Sequence, residues 1–330
     1  MKDLYEFENN FAKYQDVESE LVVEGKINDP KISIFIPTYN RYDTLELTLK
    51  SALSQKTSIV YEVVVVCNNP DGKSDKTREL IDSFCDDRIY YYVNKENIGL
   101  CGNWNRGIEL SRADYISMIH DDDLLSPYFI DNIYESIEIN NNPGIIGVDY
   151  VTFDSNNLPT FQQPEQIKYR KVTKQSFFFG KYINIAGMTV NKRLAKNLGG
   201  YSDDYYPNED TNMIYQALIV DSVINVEVPL AGYRKEVNLS LKEGTMEQIV
   251  TLMEKTRRNI AQHERFASEW MRRYDKEFLY LYITNANQNW NLNIDYRKIF
   301  DSFGFDKKPS QIKMIMMKIQ LRLMKYRNIA

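Results

Sequence analysis

The sequence predicts an α/β fold, with a mostly parallel central sheet flanked by helices and a helical C-terminal extension, and three observations predict it. Between residues 31 and 150, short β-rich runs end in polar loops and are followed by segments with apolar residues at helical spacing. The run 63–66 is four consecutive valines, as expected of a strand covered on both faces. Beyond Thr245, Gly and Pro are scarce until Gly304 and Pro309, which leaves room for long helices.

The elements follow in order. Residues 32–36, Ile-Ser-Ile-Phe-Ile, form a strand that Pro37 ends, and residues 43–55 place Leu45, Leu49, Ala52 and Leu53 on one helical face. The valine strand stops at the turn-prone Asn68-Asn69-Pro70-Asp71-Gly72. Residues 89–93 supply a third strand, 104–110 begin a helix, and 115–119 supply a fourth strand running into His120, Asp121, Asp122 and Asp123. A helix is expected over 124–140, with Asp123 as its cap. Ligands bind beyond the carboxyl ends of parallel strands, so the loops at 37–41, 67–69 and 120–123 should converge. Residues 151–240 are less regular, with loop-like stretches at 154–164 and 199–207. The expected organisation is an N-terminal extension (1–30), a half that carries these ligand-binding loops (31–150), a less regular half of the same domain (151–240) and a helical C-terminal region with a basic amphipathic tail (241–330).

Composition narrows the class. A chain of 330 residues with 43% apolar and 13% aromatic content buries a sizeable core, and a formal charge of -5 argues against a surface built to hold nucleic acid. Cys67, Cys85 and Cys101 are odd in number and lack CxxC spacing, which points away from a disulfide framework or a zinc site. The N-terminus is acidic without an apolar core, and no run approaches the ~18 apolar residues that span a bilayer. The expectation is a cytoplasmic protein, peripheral on the inner face of the membrane. For that attachment the tail offers Lys307, Lys308, Lys313, Lys318, Arg322, Lys325 and Arg327 without an acid, and Ile312, Ile315, Met316, Ile319 and Leu323 at helical spacing. A docking helix or a solvated basic tail is the competing reading.

Three adjacent carboxylates after an apolar strand repel one another unless a cation or hydrogen-bond donors compensate them. Hard carboxylate oxygens suit Mg²⁺ or Mn²⁺, which bind through one or two carboxylates plus substrate phosphates. A metal-diphosphate site follows.

At this point a resemblance becomes specific. Residues 34–41 (Ile-Phe-Ile-Pro-Thr-Tyr-Asn-Arg), Asn97-Ile-Gly99 with Asn105-Arg-Gly107, and 120–127 (His-Asp-Asp-Asp-Leu-Leu-Ser-Pro) resemble, in order and spacing, the family 2 glycosyltransferases of the GT-A fold. Gly199-Gly200-Tyr201, Asn208-Glu209-Asp210, Tyr233-Arg234 and Asn238-Leu239-Ser240 continue the pattern. The resemblance implies an inverting transferase that takes a sugar from a nucleoside-diphosphate donor, a UDP-sugar foremost, to a saccharide or lipid-linked acceptor. It casts Pro37, Thr38, Tyr39, Asn40 and Arg41 as the loop holding base and ribose, with Tyr39 as a stacking face. Asp121 falls near the ribose and diphosphate, and Asp122 is the direct metal ligand, with Asp121, Asp123 and Glu236 as further candidates. Cys67, Asn68, Asn97 and Asn105 line the donor pocket. Asp210, with Glu209 in reserve, supplies the base for the acceptor hydroxyl; read without the resemblance, Asn208 or Asp210 is simply a helix cap.

The chain departs from the family pattern in three places. Cys67 and Asn68 stand where many relatives carry an Asp that grips the base, and His120 stands where the first acid of the metal motif belongs. The His that often follows the Tyr-Arg motif is absent, and Glu236 is the available substitute. A sugar nucleotidyltransferase is a competing reading, but Pro37 to Arg41 lacks a Gly-rich phosphate loop. A non-catalytic nucleotide-sugar binder is another, opposed by the presence of Asp122 and Asp210. A dinucleotide-binding dehydrogenase lacks its GxGxxG.

Overall fold

The computed structural model describes residues 2–73, 75–236 and 243–326. In chain order the strands and helices are β1 (Ser19–Val23), β2 (Ile32–Thr38), α1 (Tyr42–Leu53), β3 (Tyr61–Cys67), α2 (Lys76–Phe84), β4 (Ile89–Asn94), α3 (Gly99–Leu110) and β5 (Tyr115–Met118). There follow β6 (Leu124–Leu125), α4 (Phe129–Ile139), β7 (Ile145–Phe153), β8 (Tyr169–Val172), α5 (Lys174–Phe178), β9 (Met188–Asn191), α6 (Lys192–Asn197), α7 (Glu209–Val220) and β10 (Val223–Arg234). The C-terminal region is helical: α8 (Glu243–His263), α9 (Arg265–Trp290), α10 (Tyr296–Ser302) and α11 (Gln311–Tyr326).

The strands form one mixed sheet in the order β1-β4-β3-β2-β5-β9-β7-β10-β6, with β8 on β10. The part of it formed by β4-β3-β2-β5 is parallel, because each strand returns through a helix. Beyond β5 the strand β9 runs antiparallel to both neighbours, and β7 and β10 are again parallel to each other. All seven residues of β2 and of β3 are buried, as continuous apolar strands between two helical layers require. One charge in β3, Glu62, is fully buried and compensated: it accepts from Ser33 Oγ at 2.6 Å and from Arg112 N and Nε at 2.7 and 2.6 Å. Helix α3 lies close on β2 at Gly107, where a Cβ would stand 2.1 Å from the Phe35 ring. The chain ahead of β2 packs on this core: Leu4 is fully buried, its N–H donates to Asn259 Oδ1 at 3.0 Å, and β1 joins the edge of β4.

Two expectations are corrected. Pro37 does not end β2; it pairs in register with Val66, and the strand continues to Thr38. The helix expected over 124–140 starts only at Phe129, because Leu124 and Leu125 pair with Gly232 and Ala231 of β10 as a short strand. Asp123 is therefore not a helix cap.

In the C-terminal region α8 and α9 pack together, and the fully buried Arg257 guanidinium lies over the Phe278 and Tyr282 rings at 4.7 and 4.3 Å. Helix α11 lies on α9 and buries Met317 completely. No helix among the described residues is long and apolar enough to cross a membrane.

Candidate active site

The ends of β2, β3 and β5 and the start of α7 open on one cleft of about 660 Å³. It is lined by Pro37, Thr38, Tyr39, Arg41, Asn68, Asn97, Asp121 and Asp122, and also by Tyr182, Ile183, Asn184, Ile185 and by Tyr206 through Thr211, with Glu209 and Asp210 among them. Tyr39 is 49% exposed at the rim, so its ring is free to accept a stacking partner.

The acidic loop is held from several directions. Thr38 Oγ1 donates to Asp121 Oδ2 at 2.8 Å, and the Arg41 guanidinium pairs with Asp122 and lies 3.6 Å from Asp121 Oδ1. Arg234 at the end of β10 donates its backbone N–H to Asp123 Oδ1 and its Nε–H to the Asp122 carbonyl, each at 2.9 Å. Thr48 Oγ1 donates to the Asp123 carbonyl at 2.8 Å. Burial pushes the Asp121 carboxyl up to about 6, against the pull of Arg41 and Thr38, and burial also raises Asp123. Burial alone would lower His120, but the Asp123 carboxylate, backed by Asp122 and Asp121, overcomes it and lifts the imidazole to about 9. The Trp104 ring stacks on this imidazole with centroids 5.5 Å apart.

Side-chain ligand atoms of His120, Asp122 and Asp123 lie within 4.8 Å of one another. His120 Nε2 and Asp123 Oδ2 are buried without a hydrogen-bond partner. Buried polar atoms left unpaired beside a second carboxylate, that of Asp122, are what a divalent cation satisfies, so the residues present fit Mg²⁺ or Mn²⁺. Asp123 thus groups with His120 and Asp122, whereas Asp121 accepts from Thr38, and Arg41 lies beside both Asp121 and Asp122. Glu236 is not in this group: it is an exposed side chain that accepts from Ser155 N and Oγ at 2.9 and 2.6 Å.

Other candidates occupy different places. Asn68 and Asn97 line the cleft as members of an amide network. Asn68 Nδ2 donates to Asn97 Oδ1 at 2.8 Å, and Asn68 Oδ1 accepts from Asn94 Nδ2 and from the Ile98 N–H, both at 3.0 Å. Asn97 Oδ1 also accepts from the Gly99 N–H at 2.9 Å, which fixes the entry to α3, where Gly99 takes φ +73°. Asn105 does not line the cleft. It points to the opposite side of α3 and clamps Tyr201, accepting from its N–H at 2.7 Å and donating to its carbonyl at 2.9 Å. This holds the Gly199-Gly200 turn, where both glycines have φ near +80° (+83° and +79°). Cys67 is buried beneath the loop, its thiol directed to the Asn69 carbonyl, and Asn40 is an exposed turn residue that accepts from Asn69 Nδ2 at 2.8 Å. Asn238, Leu239, Ser240 and Arg327 lie outside the described residues.

Asn208 occupies the N-cap position of α7 without a side-chain cap, donating instead to the Ile249 carbonyl at 3.1 Å, and Asp210 lies inside the first turn. Asp210 Oδ1 accepts from the N–H and the hydroxyl of Thr211 at 2.5 and 3.1 Å. Glu209 is buried with Oε2 unpartnered. Burial raises both carboxyls, and the neighbouring Asp210 raises Glu209 further. Two acids with raised proton affinity thus face the cleft from a helix N-terminus, across from the acidic loop.

Trp104, Leu100, Tyr182 and Tyr206 were not foreseen as cleft residues. Trp104 lies between Asn97 and Asn105, a position that a motif-based reading passes over as core. Tyr182 and Tyr206 come from aperiodic chain, where no spacing signals a role.

Comparison with known proteins agrees with this architecture. The profile of the family described as "Glycosyl transferase family 2" matches residues 33–199, half of the chain. A β-1,3-glucosyltransferase of Campylobacter jejuni, named for GalNAc(5)-diNAcBac-PP-undecaprenol, is 26% identical over 55% of this chain and 58% of its own. An uncharacterized glycosyltransferase, MJ1057, of Methanocaldococcus jannaschii is 24% identical over 53% and 60%. The chain thus spans about three fifths of the length of these curated relatives. Among solved structures, S. aureus TarS 1-349 in complex with UDP aligns with a TM-score of 0.56 at 13% identity, covering 78% of this chain and 72% of that one. The mannosyltransferase PcManGT of Pyrobaculum calidifontis, in complex with GDP-Man and Mn²⁺, aligns with a TM-score of 0.55 at 11% identity, covering 97% and 87%. These likenesses establish the GT-A type fold, and with the profile match they show that the chain belongs to glycosyl transferase family 2.

Proposed function

We propose that this protein is an inverting glycosyltransferase that moves a sugar from a nucleoside-diphosphate sugar, a UDP-sugar foremost, to a hydroxyl of a saccharide or lipid-linked acceptor in bacterial surface polysaccharide or glycolipid synthesis. The observation that carries this is the placing of Asp122 and Asp210, from strand-end loop and helix start, on one cleft. The UDP and GDP-Man held by the structural neighbours support a nucleotide donor. His120, Asp122 and Asp123 would hold the divalent ion, and when bound it supplies positive charge to offset that of the departing diphosphate.

The chain's own residues account for the rest. Tyr39 offers a face to the base, and Thr38 keeps Asp121 oriented beneath the sugar-nucleotide. Arg41 brings a guanidinium to the same end of the cleft, where the diphosphate charge must be met. Asp210 takes the proton of the acceptor hydroxyl as that oxygen bonds to the anomeric carbon. The bond from that carbon to the diphosphate oxygen breaks, and its electron pair leaves with the nucleoside diphosphate. One displacement from the opposite face inverts the anomeric centre.

The test is a panel of nucleotide sugars, with and without saccharide and polyprenyl-linked acceptors, read as released nucleoside diphosphate with Mg²⁺, Mn²⁺ or chelator. Metal-dependent release and an inverted product are expected. Nucleotide binding without turnover by any donor would instead establish a non-catalytic binder, and retention at the anomeric carbon would exclude single displacement.

A further inference from the structure

Helix α11 is apolar on two faces. One, through Met317, is fully buried on α9. The other carries Ile312 (71% exposed), Ile315 (60%), Met316 (54%), Ile319 (53%) and Leu323 (57%). Residues 312, 316, 319 and 323 recur at steps of four, three and four, and Ile315 sits beside them, so the five make one outward stripe. Fourteen large apolar side chains in the described structure are exposed, and five of them lie on this single helix, so the stripe is not the ordinary scatter of surface hydrophobics.

Charge identifies what covers it. Lys318 and Arg322, one turn apart, form a shoulder along one side of the stripe, Lys313 lies on the other side, and Lys307 and Lys308 precede the helix, all exposed. None of these five cations makes an ion pair among the described residues, and 307–326 contains no acid, although the whole chain is acidic. A stable protein partner would take about 20–30 residues a side, whereas five apolar side chains on one helix make a narrow, shallow band. A band of that kind between unpaired cations is the form of a helix lying in the plane of an anionic lipid interface. We infer that the outward face of α11 is a membrane-docking surface for anionic phospholipid, with the Ile312 to Leu323 stripe inserted and the Lys318–Arg322 shoulder on the headgroups. The inference stands independently of the transfer reaction.

The test uses the full chain and sedimentation with vesicles of phosphatidylcholine alone or mixed with phosphatidylglycerol. Binding is expected only to the mixed vesicles at low salt, and high salt should weaken it through screening. The double substitutions Ile315→Glu with Ile319→Glu, and Lys318→Glu with Arg322→Glu, should each lower the affinity by about tenfold or more while leaving the far-ultraviolet circular dichroism unchanged. All four side chains are exposed, so folding is preserved, whereas truncating the helix would strip Met317 from α9. The inference is overturned by absence of binding to anionic vesicles at low salt, by equal binding to neutral ones, or by variants that bind as well as the parent. It is equally overturned if equilibrium sedimentation finds a dimer that the Ile315→Glu, Ile319→Glu protein cannot form, since the stripe would then be an interface between copies.

Discussion

Asp210→Asn separates a base from a structural carboxylate, because it removes basicity and little else. The amide oxygen can accept the same two hydrogen bonds that Asp210 Oδ1 takes from Thr211, at 2.5 and 3.1 Å, so the first turn of α7 persists. Loss of a negative charge near a helix N-terminus costs about 0.3–1 kcal/mol. Against that, one of two adjacent carboxylates whose charging burial opposes is gone. The net change in stability should lie within about 1 kcal/mol, or a shift of a few degrees in Tm. A general base contributes about 10² to 10⁴-fold, equivalent to ~2.7–5.4 kcal/mol of barrier at about 1.36 kcal/mol per decade. The side of the cleft formed by Tyr39, Arg41 and Asp122 is untouched. The variant should therefore keep its Tm and its nucleoside-diphosphate affinity by calorimetry while its transfer rate falls by that factor. The pH profile should agree: because burial raises Asp210, its active ionised form is lost as pH falls through a pKa above the ordinary Asp value of ~3.9, and the acid limb of kcat/KM should lie correspondingly high. Glu209→Gln belongs in the same experiment. Near-normal transfer by Asp210→Asn with a folded, inactive Glu209→Gln would move the base by one residue, and activity in both would refute the mechanism.

Two further substitutions test the geometry. Asp123→Asn keeps an acceptor for the Arg234 N–H but lacks the charge. Like Asp122→Ala, it should weaken metal-supported nucleoside-diphosphate binding by no less than the ~10–100-fold that ligand-supporting partners are worth; unchanged affinity in calorimetric titration would remove it from the metal group. Asn105→Ala should destabilise the fold by about 1–3 kcal/mol for each Tyr201 backbone group left unpaired, measured by urea denaturation, while donor affinity stays as it was; a lost donor affinity at full stability would return Asn105 to the pocket.

The parallel part of the sheet was legible because its signals are local. The consecutive β-branched valines at 63–66, bounded by turn residues, favour a strand buried on both sides, and the strand ends name the loops that meet at the cleft. Reading failed where a distant partner decides. Leu124 and Leu125 look like the opening of a helix, and only the arrival of Ala231 and Gly232 makes them a strand. That pairing also takes Asp123 away from a capping role and leaves it beside His120. Asn105 fitted a donor motif by spacing, but spacing along a helix does not say which face turns to the ligand, and its side chain turns to Tyr201. The aromatic wall of Tyr182 and Tyr206 carries no period at all. Composition at the C-terminus correctly announced an amphipathic helix, yet could not show that its apolar residues divide between α9 and the outside.

The grip of Arg234 on the acidic loop has a consequence for synthesis of the chain. Asp122 and Arg234 are 112 residues apart. At about 5–20 residues per second, a ribosome completes that interval in roughly 6 to 22 s. Throughout it, the nascent chain possesses every strand of the parallel half but not the guanidinium that fixes its carboxylate loop from behind. A nucleoside diphosphate and a cation, bound as proposed, would therefore find the loop fixed by Arg234 only after β10 has closed beside β7.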